Sequence, residues 1–140
     1  MTTLAKLAQI EWDQRLAFAR QRVREGRWTA LEADARLFPW LAIALRAGAE
    51  PTEAADLVAA VREEPDHPIQ GEARFIAATR LCPTADMRAE LTRARDRALA
   101  KAIAEPANRQ ACERSAALQF IACYLGCPPA EPITEFQEAA

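Results

Sequence analysis

A chain of 140 residues with 51% hydrophobic and 27% charged residues has the size and composition of one globular domain, which excludes disorder over most of its length. Its formal net charge of −2 provides no long-range positive field to gather nucleic acid or anionic membrane. No stretch approaches the roughly 18 apolar residues of a membrane span, and Met1 to Ile10 lacks the basic and apolar regions of a secretory leader, so the expected location is cytoplasmic.

The first segment, Thr3 to Glu25, spaces Leu4, Ala8, Trp12, Leu16, Ala19 and Val23 three or four apart, the inner stripe of an amphipathic helix. Arg20, Arg24 and Arg27 follow another face near the negative end of the helix dipole, and Gly26 supplies the stop. Thr29 and Glu32 have capping-box spacing and start a second helix that carries Leu31, Ala35, Phe38, Leu41, Ala42 and Leu45 inward to Gly48. Pro39 lacks an N–H donor and predicts a kink or break at Leu37 to Pro39. A third, short helix is expected from Glu53 to about Glu64, with Ala54, Leu57, Val58 and Val61 inward, before the loop Pro65-Asp66-His67-Pro68. A modest helix over Gln70 to Leu81 follows, with Ala73, Ile76, Ala77 and Leu81 inward, and Pro83 ends it.

Thr84, Ala85 and Asp86 open the most regular helix, to about Glu105, which packs through Met87, Leu91, Ala94, Ala98, Leu99, Ala102 and Ile103. A last helix spans Asn108 to Leu125. Its second half, from Ser115, has almost no polar residue except Gln119, so it is expected at the centre of the bundle. No convincing strand or repeat is found. The pattern predicts an all-α fold: one bundle of five to six helices over residues 1–127, and an extended, loosely ordered tail over 128–140.

Candidate chemistry is sparse. Glu63, Glu64, Asp66 and His67 are suitable metal donors, but one histidine does not complete a usual site, and a helix end with a polar turn explains them. Cys112, Cys123 and Cys127 could share one side of a helix and recruit Cys82, yet short C-x-x-C pairs are absent and buried thiols commonly serve packing. The only histidine and the only serine, Ser115, suggest no triad, and the four glycines lie too far apart for a phosphate loop. No enzyme activity, metal or cofactor is expected.

Two surfaces remain. Arg88, Arg93, Arg95, Arg97 and Lys101 decorate the helix from Thr84 and would form a phosphate-contacting patch, against which Glu90 and Asp96 argue for a solvated mixed face. Arg20, Arg24 and Arg27 beside Trp28 combine residue types enriched at protein interfaces, although Trp28 could equally staple the first two helices together. The favoured reading is a noncatalytic interaction or assembly protein acting through protein contacts or self-association, and the alternative is a nucleic-acid-binding accessory protein.

The run Arg20-Gln21-Arg22-Val23-Arg24-Glu25-Gly26-Arg27-Trp28-Thr29-Ala30-Leu31-Glu32-Ala33-Asp34-Ala35-Arg36-Leu37 resembles a helical hairpin of short tailed-phage and prophage proteins. There an arginine-rich helix ends in Gly-Arg, and a capped helix begins Thr-x-x-Glu-Ala-Asp. The resemblance implies a phage-related origin and a structural or accessory role, with no catalytic residue to carry over. Only Lys6 and Lys101 are lysine among the 18 basic residues, a bias toward GC-rich arginine codons that fits a bacterial or phage source.

Overall fold

Three helices here begin at a capping side chain and end before a left-handed glycine. The computed structural model describes residues 2–51 and 71–130 and contains, among them, five helices and no strand. They are α1 (Thr3–Arg24), α2 (Ala30–Arg46), α3 (Gly71–Leu81), α4 (Thr84–Ala104) and α5 (Arg109–Tyr124). The expected helix over Glu53 to Glu64, the loop over Pro65 to Pro68, the cluster around His67 and residues 131–140 lie outside the described residues. No described helix is long and apolar enough to cross a membrane.

Thr2, Thr29 and Asn108 accept hydrogen bonds from the N–H groups of Ala5, Glu32 and Ala111, each at 3.1 Å, which satisfies first-turn donors of three helices. The predicted capping box at Thr29 is present in altered form, because the Thr29 hydroxyl also donates to Glu32 Oε1 at 3.3 Å. At the end of α1, Gly26 N–H donates to the Val23 carbonyl and Arg27 N–H to the Arg22 carbonyl. That pairing requires a left-handed residue, and Gly26 supplies it at φ 73°.

The second helix does not break. It is continuous from Ala30 to Arg46 with Pro39 inside it, so the lost donor is tolerated in a segment whose next six residues, Trp40 to Leu45, are buried. Its inner face also differs from expectation. Ala33, Leu37, Trp40 and Leu41 point inward, whereas Leu31 is 80% exposed, Ala35 is exposed and Phe38 is half-buried. Within the first turn of α2 Ala33 is covered and Leu31 faces solvent, so the inner face starts two residues later than the pattern predicts.

α2 is the hub, packing on α1, α3 and α4, while α5 packs on α4 and, less extensively, on α1. The expectation that α5 would be central is overturned: only Ala111, Ser115, Leu118, Ile121 and Ala122 are buried on it, and Phe120 and Tyr124 stack at the surface. In α3, Ala77 and Ala78 are buried and Ile76 is exposed, and in α4 the stripe of Met87, Leu91 and Ala94 packs inward while Ile103 is exposed. The large side chains that are almost fully buried among the described residues are Trp12, Leu41, Ile43, Met87, Leu91, Leu118 and Ile121. Alanines fill much of the remaining interior, with Ala42, Ala44, Ala49 and Ala78 wholly covered, and such small side chains let helix axes approach closely.

Two arginines close the C-terminal end of α2. Arg74 donates to the carbonyls of Leu45 at 3.1 Å and Ala49 at 2.6 Å, adding to the Gly48 N–H bond that the Leu45 carbonyl already accepts. Arg46 donates to the hydroxyls of Thr79 and Thr84 and lies over the Phe75 ring, tying α2 to α3 and α4. Burial, reinforced by repulsion from Arg88, lowers the Arg46 pKa.

Candidate functional site

The arginines of α4 do not form one patch. Positions 88 and 90 on a helix differ by about 200°, whereas 88 and 95, or 90, 97 and 101, nearly coincide. Arg88 Nε accordingly donates to the Leu125 carbonyl at 2.9 Å, and Arg95 Nη1 donates to the Pro128 carbonyl. Arg95 is only 5% exposed and also pairs with Asp96 at 3.1 Å. These two arginines hold the carbonyls of Leu125 and Pro128 against α4.

On the other side, Glu90 draws in Arg93 at 2.8 Å and Arg97 at 3.8 Å, and Lys101 lies one turn beyond Arg97. The five cations expected on one nucleic-acid patch thus divide between a structural clasp and a mixed-charge face.

The α1–α2 turn holds a different arrangement. Phe18 and Trp28 meet edge to face with ring centroids 5.7 Å apart. Arg22 Cζ stands 4.8 Å from the Phe18 centroid, and Arg36 Cζ stands 4.6 Å from the Trp28 centroid. A guanidinium therefore covers each ring, as the negative aromatic face favours. Trp28 is half-buried against the core, but Phe18 remains 51% exposed. Arg20, Arg24 and Arg27 are exposed; Arg20, about 200° from Phe18 on α1, faces away from the ring pair, and Arg24 Nη2 donates to Gln21 Oε1 at 2.7 Å. Val23 and Leu31, on the two helices that flank the turn, are exposed apolar residues. Trp28, half-buried, thus links α1 and α2 through Phe18 and Arg36.

Beside Trp28 a groove of about 360 Å³ runs past Phe18, Arg36 and Trp40 to Arg15 and Arg97. Arg15 Cζ lies 3.9 Å from the Trp40 ring centroid, and Arg15 Nε donates to Glu11 Oε1 at 3.0 Å. Burial lowers the Arg15 pKa, opposed by the Glu11 carboxylate. Glu11 is itself buried and reaches across to Arg114 Nη2 at 2.8 Å. Periodicity alone passed over this triad. The available signal was the four-residue spacing of Glu11 and Arg15 on a helix whose apolar stripe includes the acid.

The cysteines are dispersed in kind: Cys82 is buried, Cys112 and Cys127 are half-buried and Cys123 is exposed. Among the described residues no three histidine, cysteine, aspartate or glutamate side chains gather closely enough to hold a metal ion. Burial, with a contribution from Asp86, raises the Cys82 pKa. Compared with known proteins, the chain matches no family model, no curated protein and no solved structure.

Proposed function

We propose that the protein is a noncatalytic helical interaction protein whose docking face is the α1–α2 turn and that its partner is an acidic protein surface. The observation carrying this reading is the exposed Phe18–Trp28 pair with a guanidinium over each ring. Aromatic side chains and arginine are the residue types that dominate binding energy at protein interfaces, and here they are already ordered by one another.

Charge selects the kind of partner. From Phe18 to Arg36 the chain has Arg20, Arg22, Arg24, Arg27 and Arg36 against Glu25, Glu32 and Asp34. Two copies meeting through this face about a two-fold axis would bring like charges together. A heterologous acidic partner gains attraction where a second copy meets repulsion. The resemblance of residues 20–37 to a phage and prophage hairpin supports an assembly role. The alternative of nucleic-acid binding through Arg88, Arg93, Arg95, Arg97 and Lys101 loses support from the division of those residues between two faces.

Site-specific photocrosslinking in cells that natively express the protein tests the proposal. A photoreactive residue in place of Leu31 is expected to give a discrete adduct with an acidic polypeptide, while one in place of the exposed Ala116 on α5 gives none. Phe18→Ala should abolish the adduct without unfolding the chain. An adduct with a second copy, an adduct with nucleic acid, or no position-dependent adduct overturns the reading.

A further inference from the structure

A second concavity, between α1, α4 and α5, has a volume of about 680 Å³ and shares Arg15 and Arg97 with the groove beside Trp28. At its base lies Glu11, whose single carboxylate is shared by Arg15 at 3.0 Å and Arg114 at 2.8 Å. Two guanidiniums against one carboxylate leave a positive surplus. Arg15 is held further by Trp40, which fixes its orientation before any ligand arrives.

The opposite wall contributes Arg97 and Lys101, one turn apart on α4. Glu90 accepts Arg93 more closely than Arg97, and Lys101 makes no ion pair among the described residues. The remaining acid lining the concavity, Glu113, is taken by Arg109 at 3.0 Å. Four cations therefore border a hollow in which each carboxylate already has a partner. Leu7, Ile10 and Ala98 supply apolar wall between them.

We infer that this groove binds a small organic anion bearing at least two negative charges, with organic phosphates as its ligand class. Guanidinium forks match phosphate oxygens, and the volume suits a ligand of metabolite size. The side chain of Arg15 is only 23% exposed, so its charge is recessed and accessible to a small anion rather than to a rigid duplex backbone.

Calorimetric titration at low ionic strength with pyrophosphate and ATP as probes tests this inference. Pyrophosphate should bind, and ATP should bind more tightly because its organic body reaches the apolar wall. Arg97→Ala and Lys101→Ala, both at exposed positions, should each weaken binding about five- to tenfold, equivalent to about 1 to 1.4 kcal/mol. Arg24→Ala, at the far end of α1, should leave binding unchanged. Circular dichroism would establish that each variant is folded. Failure of both probes to bind overturns the inference, as does equal weakening by Arg24→Ala, which would mark diffuse attraction. ATP binding no tighter than pyrophosphate removes the organic ligand class, and preferential, steeply salt-dependent binding of an oligonucleotide assigns the groove to a nucleic-acid backbone instead.

Discussion

Replacement of Glu11 by alanine tests whether a buried carboxylate fastens α1 to α5. The substitution removes the acceptor for Arg15 Nε at 3.0 Å and for Arg114 Nη2 at 2.8 Å. A hydrogen bond to a charged group contributes about 1.5 to 3 kcal/mol when water is excluded. The Arg15 side chain is 23% exposed and should lie near the lower end of that range. Arg114 is 46% exposed, so solvent screening limits its share to under about 1 kcal/mol. The expected loss is about 2 to 3 kcal/mol, including the penalty of leaving Arg15 half-buried without its anion. For a domain of this size that corresponds to a fall in Tm of about 6 to 9 °C.

Urea unfolding followed by tryptophan fluorescence is a suitable assay, because Trp12 and Trp40 are both buried. A double-mutant cycle with Arg114→Ala should return a coupling of about 0.5 to 1 kcal/mol. A loss below about 0.5 kcal/mol for Glu11→Ala, or a gain in stability for Glu11→Leu, would refute the reasoning. Either result would show that desolvation of the carboxylate outweighs what its partners return.

Trp28→Ala should leave the chain folded but lower its stability by about 1 to 2 kcal/mol, through loss of the Phe18 contact and the buried part of the ring, as read from the urea midpoint. Gly126→Ala should destabilise more than Gly26→Ala: both positions have positive φ, but a Cβ at Gly126 would lie 3.2 Å from Arg88 Nη2, while at Gly26 nothing lies within 4 Å. Equal losses in chemical denaturation would show that the Arg88 side chain yields freely. In thiol labelling near neutral pH, Cys123 should react fast and Cys82 slowly, since Cys82 is buried and its raised pKa reduces the thiolate fraction. The sign carries over to stability: folding holds the Cys82 proton more tightly, so its contribution is lost as pH rises from the ordinary thiol value through the raised one, and a Cys82→Ala variant should show a smaller alkaline decline.

Local chemistry made much of α1 and the start of α2 legible. Thr29 had to find a backbone donor, Gly26 had to permit a left-handed residue, and the spacing of Ala8, Trp12 and Ala19 fixed the inner face of α1. What escaped depended on neighbours that a one-dimensional pattern does not contain. Leu31 fits an apolar series yet is exposed, while Ala33 in the same turn is buried. The run from Ser115 to Leu125 reads as a central helix, but α5 has described packing partners only on α1 and α4, leaving Phe120 and Tyr124 outside.

Charged residues were harder to assign because their roles are set by what lies opposite. Arg95 looks like one more surface arginine until the Pro128 carbonyl is found above it. Its position four after Leu91 was a usable signal, since that register belongs to the inward side of α4. Of the aromatic–arginine cluster only Trp28 is singled out by the sequence pattern, whereas Phe18, Arg22 and Arg36 require the hairpin to close before their rings and guanidiniums can meet.

The alanine-filled interior limits how this lineage can drift. Ala42, Ala44, Ala49 and Ala78 are wholly covered, so an added methylene there would have to displace packed atoms and a removed methyl would leave a void. Sequence change should therefore accumulate on the outer surfaces while these four sites stay small, giving the interior a narrow vocabulary and the exterior a wide one.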